Sequence, residues 1–108
     1  MRRFAALRRQ SDFARMRRQG ERFSTQSLTI YRSKPLHGDV ATLVGITVSK
    51  SIGKAVVRNR VRRRLAAIVH DALRPDTLMR LLIVVRPAAV PATFNQLRAE
   101  VTSALQCA

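Results

Sequence analysis

The sequence has very little of what disulfide-stabilised and zinc-binding domains require. It contains one cysteine, Cys107, and two histidines, His37 and His70, scattered over its 108 residues. One cysteine cannot form an internal disulfide, and these three residues do not make a closely spaced set of zinc ligands. Such a composition fits a reducing compartment, and we expect the protein to be cytoplasmic.

Long apolar runs are also missing. No segment reaches the roughly 18 consecutive apolar residues that mark a membrane-spanning helix, and we expect no membrane partner. Residues 1–9 contain no apolar run long enough for a secretory signal. Their arginine-rich composition leaves an organellar transit peptide open as an alternative.

Acidic residues are scarce and dispersed. Six aspartates and glutamates stand against 21 lysines and arginines. The carboxylates offer no spaced pair for acid–base catalysis or for a two-metal site. Gly45 and Gly53 form no dinucleotide or phosphate loop, and Ser49 lies in no nucleophile elbow. We therefore predict no catalytic residue and no protein-held metal in this chain.

The sequence is instead rich in positive charge. The formal net charge is +15, and arginine greatly outnumbers lysine. Charge of one sign repels itself in a small domain, so an excess of this size indicates an anionic partner. The guanidinium fork binds phosphate through paired hydrogen bonds and also stacks on bases. Composition therefore favours a nucleic-acid-binding protein.

Apolar periodicity predicts one domain over residues 1–108, with residues 1–10 as a loose basic arm. The predicted elements are, in order, a helix capped by Ser11 and stopped at Gly20, a strand over 22–33 broken near Thr25-Gln26, a strand over 41–49, a helix over 55–73 stopped by Arg74-Pro75, a buried strand over 81–85 and a helix from Thr93. Val44, Ile46 and Val48 are expected to face the core. This order predicts an α+β fold, an α/β sandwich over one mixed sheet.

The predicted helix over 55–73 is the most informative segment. Its apolar residues fall within one narrow arc at 100° per residue: Val57, Val61, Leu65, Ile68 and Ala72. Arginines flank that arc as like-charged pairs four apart, Arg58 with Arg62 and Arg60 with Arg64, and no glutamate lies nearby to relieve them. A solvated helix face normally mixes charge signs, so this pattern favours a phosphate-binding surface.

The motif around this helix resembles a known family. The residues are Val44-Gly45-Ile46-Thr47-Val48-Ser49-Lys50, the turn at Gly53, Ala55-Val56, and Arg58-Asn59-Arg60-x-x-Arg63. They closely resemble the signature of the bacterial ribonuclease P protein subunit. The resemblance extends over nearly the whole chain, from Leu7 to the final amphipathic helix.

The resemblance implies several properties that composition does not show. In the family, the Arg-Asn-Arg helix joins two parallel strands by a left-handed crossover, whereas general handedness rules predict a right-handed one. The expected partners are a catalytic RNA and the 5′ leader of precursor tRNA, with no obligate protein partner. The RNA and its Mg²⁺ ions hydrolyse the phosphodiester, and the protein raises substrate affinity.

The resemblance also implies roles for particular residues. The expected contacts to the catalytic RNA are Lys50, Lys54, Arg58, Asn59, Arg60, Arg62 and Arg63. The expected contacts to the leader are Phe13, Arg17, Tyr31, Thr47 and Ser49. The family often has a second aromatic residue where this chain has Arg17, so leader binding is expected to be more ionic here. Simple helix packing is the alternative for Phe13.

Two other classes of protein share the basic composition. A ribosomal or other structural RNA-binding protein would also carry a basic helix. A DNA-binding protein is less well supported, because no helix-turn-helix or zinc finger is recognisable. The RNA that co-purifies with the protein separates these alternatives.

Overall fold

The computed structural model describes residues 4–74 and 76–106. Within them lies one five-stranded mixed sheet with strand order β1-β4-β5-β3-β2. The strands are β1 (Phe4–Ala6), β2 (Glu21–Ser24), β3 (Leu28–Ser33), β4 (Thr42–Thr47) and β5 (Arg80–Val85). The β1–β4 and β4–β5 pairs are parallel, and the β3–β5 and β2–β3 pairs are antiparallel.

Helices cover both faces of this sheet. They are α1 (Gln10–Gln19), α2 (Ala55–Ala72) and α3 (Phe94–Gln106). The side chains of β5 alternate between the faces: Leu81, Ile83 and Val85 join the core beneath α2 and α3, while Leu82 joins a smaller cluster beneath α1. The predicted α+β sandwich over one mixed sheet is therefore confirmed.

The core confirms most of the predicted apolar faces. Val44 is buried, and Ile46 and Val48 pack against the same cluster. On α2 the buried residues are Val61, Leu65, Ile68 and Val69, whereas Val57 and Ala72, at the two ends of the predicted arc, are only partly buried. Val69 was not in the predicted arc, because α3 packs beside α2 and widens the buried stripe.

The N-terminal segment departs from the prediction. Residues 4–6 of the predicted loose arm form β1, which pairs in parallel with residues 42–44 of β4. Leu7 follows it and is buried. This part of the predicted arm is ordered because it pairs with a strand that is distant in sequence. Local composition does not reveal such a pairing. Residues 1–3, Pro75 and Cys107, which the sequence interpretation also used, lie outside the described residues.

Two further boundaries are corrected. Helix α1 begins at Gln10 with Arg9 at its N-cap and without a side-chain cap, so Ser11 lies inside the first turn. The predicted strand over 22–33 is two strands of a hairpin, because Thr25 turns the chain: its hydroxyl accepts the Leu28 N–H at 3.0 Å. The predicted break at Thr25-Gln26 is thus the hairpin turn.

The connection from β4 to β5 positions the basic residues. These two strands are parallel neighbours, and α2 lies in the crossover that joins them. A short 3-10 turn, Lys50–Ile52, leads from the end of β4 into α2. The left-handed sense of this crossover stays a prediction.

Candidate nucleic-acid interface

Helix α2 presents its arginines from a rigid base. Leu65 and Ile68 are fully buried in the main core and fix the helix against the sheet. Arg60 and Arg63 are exposed, while Arg58, Arg62 and Arg64 are partly buried along the edges of the apolar stripe. We call Lys50, Lys54, Arg58, Asn59, Arg60, Arg62 and Arg63 the basic surface.

The turn before α2 is tied to the helix. Gly53 has φ +154°, a conformation that residues with a Cβ rarely adopt. Its carbonyl accepts a hydrogen bond from Arg58 Nε at 3.2 Å. Lys54 forms the N-cap of α2, and both it and Lys50 are exposed. The two lysines therefore extend the positive charge from the helix onto the turn.

Carboxylates do not neutralise the basic surface within the described part of the chain. The ion pairs found there join Arg32 to Glu21 and Arg80 to Asp12 and Asp39, none of them on α2. Asn59 Oδ1 accepts a hydrogen bond from Arg62 Nη1 at 2.8 Å, which orients that guanidinium without cancelling its charge. This arrangement can take up several phosphates at once.

Bound anions are expected to stabilise the free protein. Sulfate or phosphate would relieve the repulsion between the closely spaced guanidinium groups of α2, and a ligand that binds the folded state raises its stability. Thermal melts in sulfate and in chloride at equal ionic strength check this. We expect a higher midpoint in sulfate; identical midpoints would contradict a discrete anion site.

A second surface lies on the other face of the sheet, beneath and beside α1. The ring of Phe13 lies directly over Gly45: a Cβ at that glycine would be 2.8 Å from Phe13 Cε1 and 3.3 Å from Leu82 Cδ1. A side chain on β4 at this point would push the ring away. Gly45 therefore allows the Phe13 ring to approach the strand closely.

Strand register brings the other predicted leader residues near Phe13. Tyr31, Leu82 and Gly45 lie side by side in one row across three strands. The next row holds Thr47 on β4, whose hydroxyl donates to the Ile83 carbonyl at 3.5 Å. We call Phe13, Tyr31 and Thr47 the aromatic face.

The remaining two predicted leader residues border this face. Arg17 is exposed and lies four residues after Phe13, so both share one flank of α1. Ser49 is exposed beyond the end of β4, and its hydroxyl lies 2.7 Å from that of Ser51. Because Ser49 immediately precedes the Lys50 turn, it connects the aromatic face to the basic surface.

Sequence reasoning missed two residues of this face. Thr29 and Val84 lie in register with Thr47, in the same row across the sheet. Val84 is half-buried, whereas its neighbours Ile83 and Val85 on the opposite face are buried. The alternation of β3 carried the signal for Thr29, since it is two residues from Tyr31.

Sequence reasoning also missed a buried ion-pair network. Arg80 at the start of β5 is 8% exposed. Its Nε and Nη2 donate to the two carboxylate oxygens of Asp39 at 2.8 and 3.0 Å, and its Nη1 donates to Asp12 at 3.1 Å. The carboxylates that looked dispersed in the sequence thus include two, Asp12 and Asp39, that are both ion-paired to the one guanidinium of Arg80 in the folded protein.

The same network perturbs two pKa values. Hydrogen bonds from Arg80 hold the pKa of Asp39 below its usual value, and the Leu36 N–H adds to the effect, while burial opposes it. The hydrogen bonds to Asp39 raise the pKa of Arg80. Both shifts favour the charged forms, so the pair stays ionised in the folded protein.

Acid is expected to remove the stability that Asp39 contributes. Its folded pKa lies below the unfolded value of about 3.9, so the contribution is complete above that value and is lost as pH falls through the folded pKa. Urea unfolding of the wild type and Asp39→Ala at about pH 6 and about pH 2 checks this. The difference between the two proteins should shrink at the lower pH, and a constant difference would contradict the assignment.

The described residues hold neither a metal-binding cluster nor a membrane-spanning helix. Residues 4–74 and 76–106 contain no group of three or more histidine, cysteine, aspartate or glutamate side chains that could hold a metal ion. In the same residues, no helix is both long and apolar enough to cross a membrane.

Known proteins are similar to this chain in sequence. The family described as Ribonuclease P matches residues 1–108. The ribonuclease P protein component of Acidothermus cellulolyticus is 38% identical over 95 residues, covering 87% of this chain and 79% of the relative. That of Beutenbergia cavernae is 40% identical over 101 residues, covering 92% of this chain and 83% of the relative.

Solved structures are similar in fold. The RNase P protein of Staphylococcus aureus aligns with a TM-score of 0.82 at 21% identity, covering 94% of this chain and 92% of that chain. The RNase P protein of Thermotoga maritima aligns with a TM-score of 0.77 at 19% identity, covering 94% of each chain. The chain therefore has the same fold as these solved structures.

Proposed function

Because this chain belongs to the ribonuclease P protein family, we propose that it holds the 5′ leader of precursor tRNA on its aromatic face while its basic surface binds the catalytic RNA. Membership makes it the RNA-binding protein component of an endoribonuclease in which RNA performs the catalysis. Its relatives are named as protein components, so an RNA subunit is its partner. The substrate and the residues that bind each RNA are the proposal.

One observation carries this assignment. The two faces of the sheet support two different chemistries: guanidinium groups on α2 that have no carboxylate partner among residues 4–74 and 76–106, and half-buried rings with threonines beneath α1. Dense positive charge suits the folded phosphate scaffold of a large RNA. Ring faces suit the unstacked bases of a single strand and make no demand on its sequence.

The proposed roles follow from the side chains. Phe13 and Tyr31 offer ring faces to leader bases, and Arg17 offers a guanidinium to a leader phosphate. Thr47 and Ser49 place hydroxyls beside them as hydrogen-bonding groups. By holding the leader, these residues would raise the affinity of the enzyme for precursor tRNA over mature tRNA without touching the scissile bond.

Metal binding is proposed to belong to the RNA. Mg²⁺ prefers carboxylate and phosphate oxygens. The described carboxylates that meet in space, Asp12 and Asp39, are already bound by Arg80, so they do not fit a magnesium site. The cytoplasm, where precursor tRNA would be met, is the proposed location.

Reconstitution tests the proposed function. Highly purified protein should leave precursor tRNA intact in Mg²⁺, because no residue set in the chain supports hydrolysis. Protein combined with a ribonuclease P RNA should cleave precursor tRNA at the mature 5′ end, with a lower KM than the RNA alone. Specific cleavage by the protein without RNA, or co-purification with ribosomal RNA and no effect on cleavage, would contradict the proposal.

Removing two arginines from the basic surface should weaken binding to the catalytic RNA. Arg60→Ala with Arg63→Ala removes two exposed guanidinium groups, and each lost phosphate contact lowers the salt dependence by nearly one unit. We expect the slope of log Kd against log salt to flatten by about one to two units. Arg98→Ala, on α3, is the matched control. An unchanged slope would contradict these contacts.

A further inference from the structure

Arg80 joins three separate parts of the chain at one buried point. It begins β5, and its two carboxylate partners come from the first turn of α1 and from the segment between β3 and β4. Asp39 also accepts the Leu36 N–H at 2.8 Å, so it closes the turn of its own segment. Asp12 is the residue immediately before Phe13. The network thus reaches the aromatic face through one of its two carboxylates.

Helix α1 is short and packs over the smaller of the two clusters. It is 10 residues long, and Met16 is its buried residue. The cluster beneath it has three buried residues, Leu7, Met16 and Leu82, against which Phe13, Tyr31, Leu43 and Val84 pack, and it is smaller than the core on the opposite face. A helix of this length is marginal without tertiary contacts. Its position on the sheet therefore depends strongly on each contact that it makes.

The Asp12–Arg80 ion pair fixes the end of α1 that carries Phe13. Both side chains are largely removed from water, at 22% and 9% exposure, so solvent screens the pair less than a surface pair. Phe13 lies over Gly45, where β4 pairs with Leu82 of β5, two residues along from Arg80. The polar contact and the ring contact thus hold adjacent residues of α1 against the same pair of strands.

We propose that Arg80, acting through Asp12, is a positioning residue for leader binding: it fixes the position of α1 on the sheet and so keeps the Phe13 ring in place for a leader base. This inference rests on the proposed function, since it requires the aromatic face to bind the leader. Asp39 binds the other side of the same guanidinium. It contributes to the stability of the protein but not to the position of α1 on the sheet.

The structure supplies a matched pair of variants. Asp12→Ala and Asp39→Ala each remove one carboxylate from the same guanidinium and each raise the net charge by one, so the two variants are matched in net charge. The Asp39→Ala variant loses two hydrogen bonds from Arg80 and one from the Leu36 N–H, whereas the Asp12→Ala variant loses one hydrogen bond from Arg80. Asp39→Ala should therefore lower the melting temperature more.

The test compares holoenzymes reconstituted with the catalytic RNA. The readout is the ratio of KM for precursor tRNA with a one-nucleotide leader to KM for precursor with a long leader. We expect Asp12→Ala to reduce this ratio by about tenfold, the equivalent of one lost stack, with kcat at saturating substrate unchanged. Asp39→Ala should change it by less than about twofold. Asp12→Glu, which can reach Arg80 again, should restore most of the ratio.

Three outcomes overturn the inference. In the first, both alanine variants change the ratio in proportion to their loss of melting temperature, which indicates a purely structural role. In the second, Asp12→Ala leaves the ratio intact. In the third, the wild type shows no dependence on leader length, which removes the proposed function itself. If Asp12→Ala does not fold, Asp12→Asn replaces it and should lower the ratio in the same direction by a smaller factor.

Discussion

Replacing Arg80 with methionine is expected to lower the free energy of unfolding by about 3–5 kcal/mol, the cost of leaving a buried charge without its partner. The substitution keeps a long side chain at the start of β5 but leaves Asp12 and Asp39 without the cation that both of them bind. Both carboxylates are largely buried, and neither has another ion pair within residues 4–74 and 76–106. Urea unfolding near neutral pH measures the loss.

A compensated variant separates charge from shape. Arg80→Met combined with Asp12→Asn and Asp39→Asn leaves no charge in the network, and uncharged groups in place of a buried ion pair are often tolerated. We expect this triple variant to regain part of the stability lost by Arg80→Met alone. A loss of less than about 1 kcal/mol for Arg80→Met, as for an exposed ion pair, would show that the network is solvated and weak.

Removing both rings from the aromatic face is expected to weaken the binding of precursor tRNA by about 1–3 kcal/mol for each lost stack. Phe13→Ala with Tyr31→Ala leaves the basic surface intact, because α2 lies on the opposite face of the sheet. Affinity for the catalytic RNA should therefore stay within about twofold of wild type, which is less than the loss expected for one phosphate contact.

A control variant tests whether the loss of precursor binding depends on where in the fold the ring is removed. Phe94→Ala removes a ring that packs against the core on the α3 side, away from the aromatic face. It should cost stability but leave the preference for long leaders unchanged. If Phe94→Ala and the Phe13/Tyr31 variant weakened precursor binding equally, the effect would come from general destabilisation and not from contacts with the leader.

Helix α2 could be predicted from the sequence, because a helix of that length shows its apolar periodicity and its boundaries in its own residues. The apolar stripe from Val61 to Ile68 recurs at helical spacing, Gly53 marks the turn before it, and the run of arginines identifies the solvent side. The same holds for β4, where Val44 and Ile46 alternate with residues of the other face. Local periodicity decides such elements, and the structure confirms them.

Features that depend on distant residues were not predictable. The edge strand β1 forms because residues 4–6 pair with β4, nearly 40 positions away, and three residues have no readable periodicity. Arg80 looked like one more arginine in a basic chain, since nothing local shows that Asp12 and Asp39 converge on it. The N-cap of α1 was predicted two residues too late, at Ser11 instead of Arg9, because the Ser11 side chain was assumed to cap the helix.

The central claim is that the two faces of the sheet bind two different RNAs, and one crossed measurement tests it most directly. The Arg60/Arg63 and Phe13/Tyr31 double variants are compared with the wild type. For each protein, one Kd is measured for its binding to the catalytic RNA, and two more are measured for the binding of long-leader precursor and of mature tRNA to the reconstituted holoenzyme. We predict that the arginine variant loses catalytic-RNA affinity, while the aromatic variant loses only its preference for the long-leader precursor. The account is contradicted if the aromatic variant keeps that preference and the arginine variant alone loses it.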